Sequence, residues 1–460
     1  MNKTTLWCLN KAADIIGANV EDFNRTFGNR LTLGERTSFN KQPVDDNKYN
    51  LMPGPEYFVP DIAKCVGARF EEGAAYPELK AIQSFYAKQG QPDYKYYWDG
   101  RSQKETGCYM ATDKFIGYYD ILEKTAPNIL VGYSQGGLVA KYLAYLDQYV
   151  FNKEKKKRVI DAVITISSPL FGSPLANPNN RENIAEALFE LLSCISIKLF
   201  GEAEELSNHE KRPQGDLFEW VYATLKHIRN TLQNLCPDYA KELIAMLDNW
   251  LDWLGGLLGD PKTAFFDLNI LRLNEGLSVL SCVNQPVDIK QRAILSTNNS
   301  LRDILHPQAA MVIHDVFKYQ LNRALNSLPP AEPDFSNLSY LAKSRANMSI
   351  DIDYDKAEKI INQRIMDEKI SQPISNPLIA DRINQYQNGI GELNVKAYAH
   401  DFIIPSSYQL MVAKGQILTN NNRPNFEANH MTGSSCEYQA GRENYQLVKE
   451  ILSDFLDKNS

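Results

Sequence analysis

Short apolar runs alternate along the chain with stretches in which apolar residues recur every three or four positions. Ile129, Leu130 and Val131 form a run of strand type, whereas Leu138, Val139, Tyr142 and Leu143 fall at helical spacing. Upstream, YPELKAIQSFYAKQG at 76–90 predicts a helix ending at Gly90, DYKYYWDG at 93–100 a strand, and CYMATDKFIGYYDILEK a further helix. Downstream, RVIDAVITIS at 158–167 predicts another strand. Strands separated by helices of this length make βαβ units, so the expected fold class is α/β, with a mostly parallel sheet flanked by helices on both faces.

The pattern changes after TISSPLFGSPLA. Residues 181–259 read as helix after helix with no strand-like run between them: NIAEALFELLSCISIKLF, LFEWVYATLKHIRNTLQNL and LIAMLDNWLDWLGGLLG. The third carries Trp250, Trp253 and several leucines, too much apolar surface for a helix alone in water. It packs within an inserted helical subdomain or serves as a mobile cap lining a substrate tunnel. A proline-rich break, SLPPAEPD at 327–334, precedes a polar stretch that reaches to about residue 390. The expected organisation is therefore an N-terminal part of the core at 1–180, an inserted helical lid or cap at 181–260, and core with connecting helices at 261–326. An insertion or linker, partly helical, follows at 327–390, and 391–460 completes the core. Asp351, Asp353 and Asp355 have the spacing that opens a calcium loop, but Lys356 stands where glycine is required and Asn362 where a bidentate glutamate is required. These carboxylates are read instead as capping and charging the start of a helix.

Composition narrows the function classes. A chain of 460 residues, 43% hydrophobic, is long enough to bury a large core. Its 49 basic and 56 acidic residues leave a net charge of -7, which argues against a nucleic-acid partner. The basic run KEKKKR at 153–158 reads as a solvated loop. Seven cysteines show no C-x-x-C spacing, so they suggest reduced, mostly buried thiols and neither a disulfide framework nor a zinc knuckle. The start, MNKTTLWCLNKAADII, lacks a sustained apolar stretch and a small-residue cleavage site. A cytoplasmic location is expected, with export by a route that needs no signal peptide left open. No apolar run reaches the roughly 20 residues that span a bilayer, so any membrane contact would be peripheral.

The chemistry centres on NILVGYSQGGLVAKYL at 128–143, where Ser134 stands between glycines at the change from strand to helix period. A serine at such a turn is held exposed and strained, Gly132 and Gly136 avoid collision with neighbouring backbone, and the helix directs its amides toward charge forming beside the hydroxyl. A serine hydroxyl needs a histidine to take its proton and a carboxylate to orient that histidine. Of six histidines, His209 and His227 fall in the helical insertion, and His306 and His314 flank or occupy a helix. His400 and His430 remain. In ELNVKAYAHDFIIPSSYQ, Val395 to Ala399 predicts a strand with Asp401 at its C-terminal edge, where catalytic groups of open parallel sheets gather. His430 lies in the polar loop FEANHMTGSS ahead of the terminal helix GRENYQLVKEILSDFLD, free to approach the serine. His400 adjoins Asp401, and alternation along a strand would point the two apart, so His430 is the preferred base.

The order Ser134, Asp401, His430, with GYSQGG, TISSPLFGSPLA and AYAHDFIIPSSYQ, resembles the bacterial lipases and related phospholipases of the α/β-hydrolase fold. The resemblance covers about 57–175 and 391–455. It implies an α/β-hydrolase core and an oxyanion hole made by the backbone amide of Gln135 and a second amide from an early loop, and it says little about 1–56, 181–260 or 300–390. The sequence departs from the family at Leu170, where a histidine is usual, and it has no early His-Gly pair. The segment YFVPDIAKCVG at 57–67 is the nearest topological equivalent, with Ile62 as its candidate donor. The expected function is a serine carboxylic-ester hydrolase acting on acyl esters of lipids, of lipase or phospholipase A type, needing no metal or organic cofactor. The alternatives are an acyltransferase using the same triad, or a binding protein on the same shell. Oligomeric state is not legible in the sequence.

Overall fold

The computed structural model describes residues 4–9, 31–33 and, with breaks, 128–457. The breaks are 152–157, 159, 178–179, 200–201, 206–211, 259–267, 271–278, 335–348, 367–383, 386–387, 397, 414–415, 418 and 435–437. The helices expected at 76–90 and 108–124, the strand at 93–100 and the segment 57–67 with Ile62 lie outside the described residues.

In chain order the elements are β1 (Thr4–Leu9), β2 (Leu31–Leu33), β3 (Asn128–Tyr133), α1 (Gln135–Leu146), β4 (Ile160–Ile166), α2 (Arg181–Leu192), β5 (Ile195–Leu199), β6 (Glu202–Glu205) and α3 (Leu217–Leu235). They continue with α4 (Lys241–Leu258), β7 (Lys290–Ser296), α5 (Pro307–Leu325), β8 (Ser349–Ile352), α6 (Tyr354–Ile360), β9 (Val412–Ala413), β10 (Gln416–Ile417), β11 (Asn422–Asn425) and α7 (Gln439–Asp457). Residues 1–177, 259–298 and 375–460 make one compact unit, and 178–258 with 299–374 make a second.

The first unit is of α/β class. Its sheet has six strands in the order β11-β7-β4-β3-β1-β2, all paired in parallel. The near-continuous apolar character of β3 and β4 follows from burial on both faces. Ile129, Val131, Tyr133, Ile164, Ile166 and Ile294 pack on one side against Val448, Ile451 and Phe455 of α7. Leu130 and Val163 point the other way and are equally buried, and α1 packs along β3 and β4. Because all six strands run the same way, β3, β4 and β7 end at one edge of the sheet, in Ser134, Ser167 and Ser296 or immediately before them.

Two features of this sheet differ from the sequence reading. Val395 to Ala399, expected as a strand, is not paired in the sheet; an isolated antiparallel bridge between His400 and Pro405 closes a tight turn there instead. The place beside β7 is taken by β11, whose sequence NRPN has no apolar alternation. A proline is tolerated there because β11 is an edge strand, with one side free of ladder hydrogen bonds.

The second unit is mostly helical, but it contains an antiparallel sheet, β6-β5-β8, that corrects the reading of 181–259 as helices alone. The expected long helix stops at Leu192, and Ile195 and Ile197 alternate as a strand that buries both and pairs with Ile352 and Ile350. β-branched residues with period two favour the sheet once a partner strand from distant sequence is present. Asp216 caps α3 by accepting from the amides of Phe218 and Glu219, at 2.9 and 3.2 Å, and pairs with Arg181. Phe189, Trp220 and Phe317 form a mutual ring cluster with centroids 5.5 to 5.9 Å apart. Trp250 and Trp253 of α4 are buried, and α4 packs on α3. Residues 299–326, grouped on sequence with the core and its connecting helices, belong to this unit. Asp353 caps α6 through the amide of Lys356, at 3.0 Å, whereas Asp351 lies in β8 and pairs with Lys198. Cys194, Cys236 and Cys282 are buried and are not in disulfides. Among the described residues no helix is long and apolar enough to cross a membrane.

Candidate active site

Ser134 follows β3 directly and has φ 53, a left-handed conformation that a non-glycine residue adopts only when its surroundings enforce it. Two bonds enforce it here: the Ser134 amide donates to the Ile166 carbonyl at 2.9 Å, and its own carbonyl accepts from Gly137 at 3.0 Å. The turn thereby hangs from the end of β4. Gly137 lets α1 approach that strand, since a Cβ there would lie 2.0 Å from Ser168 Oγ and 2.6 Å from Ser168 Cβ. Sequence had assigned the steric demand to Gly132 and Gly136; the close approach described by the structure is at the second glycine of the GG pair.

Asp401 sits in the turn that replaces the expected strand. Its Oδ1 accepts from the amides of Ile403 and Ile404, at 3.0 and 2.7 Å, and the following Phe402 has φ 75. The SPLFGSPLA segment holds this turn in place, with Ser173 Oγ donating to the Ile403 carbonyl at 3.0 Å and the Phe171 amide donating to that of Tyr408 at 3.0 Å. Phe171 and Tyr408 also meet edge to face. Leu170, at the position where the resemblance leads one to expect histidine, is a buried core residue.

His430 is shaped by its own neighbours. Asn429 Oδ1 accepts from the amides of Met431 and Thr432, at 2.8 and 2.9 Å, and Thr432 Oγ1 accepts from the Asn429 amide at 3.1 Å, which winds the loop tightly around the histidine. The His430 amide donates to the Asp401 carbonyl at 3.0 Å, and the hydroxyl of Tyr133 donates to the His430 carbonyl. The backbone of His430 is therefore tied both to the Asp401 turn and to the residue preceding Ser134.

These ties bring the three side chains together. His430 Nδ1 lies 2.8 Å from Asp401 Oδ2, and His430 Nε2 lies 3.0 Å from Ser134 Oγ. An ionised carboxylate only accepts, so Nδ1 carries the proton and Nε2 is left to accept from the serine hydroxyl. Exposure rises along the line: Asp401 is 0% exposed, His430 3%, and Ser134 is half-buried, so a reactant meets the serine first. Gln135 opens α1 directly after Ser134, which places its amide at a helix start.

His400, the rival base, is fully buried and far from this role. Its Nδ1 accepts from the Phe402 amide at 3.0 Å, and burial pushes its pKa down to about 3, so it stays neutral as part of the turn. Sequence reasoning passed over Gln409, whose Nε2 donates to Asp401 Oδ2 at 3.1 Å, and Tyr133. The signal for Tyr133 was its place next to the nucleophile; for Gln409 there was only a polar residue after SSY. The chain matches no known family model and no curated protein.

Proposed function

We propose that this protein is a serine carboxylic-ester hydrolase of α/β-hydrolase type. The observation that carries the reading is the continuous line from Asp401 through His430 to Ser134, at 2.8 and 3.0 Å, ending on a serine in left-handed conformation at a strand-to-helix turn. Ser134 Oγ attacks the acyl carbonyl carbon as its proton passes to His430 Nε2. Asp401, fixed by two backbone amides, keeps the imidazolium oriented and compensated. The Gln135 amide holds the oxyanion, with Ile62 proposed as the second donor. Collapse breaks the bond to the leaving alcohol, which takes the proton from Nε2. Water then attacks the acyl-enzyme by the same proton path and releases the acid.

Fatty-acyl esters of lipids are the proposed substrates, on the strength of the resemblance in GYSQGG, TISSPLFGSPLA and AYAHDFIIPSSYQ. The tryptophan- and leucine-rich helix α4, expected on sequence to pack within its subdomain or to line a substrate tunnel, is packed against α3, so it adds little to this choice of substrate. A fluorophosphonate probe tests the reading. Wild-type protein is expected to be labelled, and Ser134→Ala to lose labelling and turnover of p-nitrophenyl esters while melting normally. Labelling that survives Ser134→Ala, or a folded wild-type protein that neither labels nor hydrolyses any ester from short to long chain, would sink it.

A further inference from the structure

The carboxylate of Asp401 is held by more than the turn that carries it. Its Oδ2, the oxygen that faces His430, also accepts from Gln409 Nε2 at 3.1 Å. Gln409 is 0% exposed, and its amide orientation is determined by its surroundings: Oε1 accepts from the Ser296 amide at 2.8 Å, so the NH₂ group must face the other way. There it meets Asp401 Oδ2 together with the carbonyls of Ser296 and Ile404, both at 3.2 Å. Ser296 ends β7, and its hydroxyl bonds that of Ser167 at the end of β4. One side chain thus links the carboxylate to the rigid end of the sheet.

We propose that Gln409 is a positioning residue of this site, holding Asp401 Oδ2 in register with His430 by anchoring it to the end of β7. This rests on the hydrolase reading above. A carboxylate with four donors, two on each oxygen, cannot rotate toward a different partner, and the NH₂ of Gln409 is the only one of the four that comes from outside the Asp401 turn and the histidine itself. Other titratable groups facing His430 and Asp401 among the described residues are Tyr133, whose hydroxyl bonds the His430 carbonyl, and His400 beside Asp401, which stays neutral.

Gln409→Met is the discriminating variant, because it keeps the length of the side chain and removes the donor to Asp401 Oδ2. A carboxylate that loses a donor is more basic and favours the imidazolium beside it, so the acid limb of kcat/KM is expected to move to higher pH. The displaced carboxylate is expected to lower kcat by about 10²-fold with little change in KM. Ser406→Ala removes a bond to the same Ser296 carbonyl, made at 2.9 Å, without touching Asp401, and is expected to keep the wild-type pH profile. Rates are referred to sites titrated with fluorophosphonate; if Gln409→Met does not melt cooperatively, Gln409→Leu takes its place and the same pH profile and kcat-against-KM split are read. A folded Gln409 variant with wild-type kcat and pH profile, or a Ser406→Ala profile displaced equally, overturns the proposal. Wild-type protein that fails to label at Ser134 overturns the hydrolase reading itself, so the two failures are distinct.

Discussion

Among the described residues, Lys141 stands out as at odds with its surroundings. It lies on α1, is 2% exposed, and among the described residues its Nζ meets only the Met411 sulfur as a hydrogen-bond partner, at 3.3 Å. A thioether is a weak acceptor, and burial pushes the lysine down to about 7 from 10.5. The unfolded chain therefore binds a proton between about pH 7 and 10.5 that the folded protein does not, and stability rises with pH across that window. Below pH 7 the destabilisation is complete, on the order of 5 kcal/mol. Lys141→Met is expected to raise stability at pH 6 by about 3 kcal/mol, with the gain shrinking toward pH 10. Urea unfolding of both proteins at several pH values checks this; a pH-independent difference would count against it. His400, another strongly shifted buried group, serves the turn around Asp401 and was separable from His430 in the sequence by position alone.

At the level of elements, the serine turn depends on how closely α1 approaches the end of β4. Gly137→Ala would drive a methyl group into Ser168, whose Oγ donates to the Ile166 carbonyl at 3.1 Å. The helix must shift, and the Ser134 amide bond to that same carbonyl shifts with it. The expected result is a loss of about 3 kcal/mol and a slower reaction of Ser134 with fluorophosphonate, read by thermal melting and labelling rate. Unchanged labelling in a destabilised protein would separate packing from nucleophile geometry. Which elements were legible follows the same logic. β3, α1, β4, α3, α4 and α7 announce themselves because each buries a regular stripe or run of its own residues. β11 and β5 do not, because an edge strand reading NRPN and a short run after a helix become strands only when β7 and β8 supply partners.

For the whole molecule, two compact units each have their own core, and the chain passes between them four times. Units of this kind unfold with separate contributions to the heat capacity. Calorimetry is expected to show a total enthalpy exceeding the van't Hoff value. Phe317→Ala, which removes one ring of the Phe189–Trp220–Phe317 cluster, should cost the second unit about 3–5 kcal/mol and lower the transition that belongs to it. A single two-state transition that moves as a whole would contradict this. The unit boundaries were only half visible along the chain: the helical stretch after residue 180 stands out, but nothing in 299–326 distinguishes a helix of one unit from a helix of the other.

The sequence by itself determined the strand-to-helix turn at Ser134 and the α/β alternation around it, through local period and glycine placement. The scarcity of histidines narrowed the base to His400 and His430, with position favouring the latter, whereas Asp401 was reached through a strand edge that the structure replaces by a turn. Only the tertiary structure decided that Asp401 is presented by a capped turn, that Gln409 and Tyr133 hold the line in place, and that 299–326 belongs with the second unit. Each of these depends on contacts between residues far apart in sequence, up to 297 positions for Tyr133 and His430, and local patterning carries no record of such pairings.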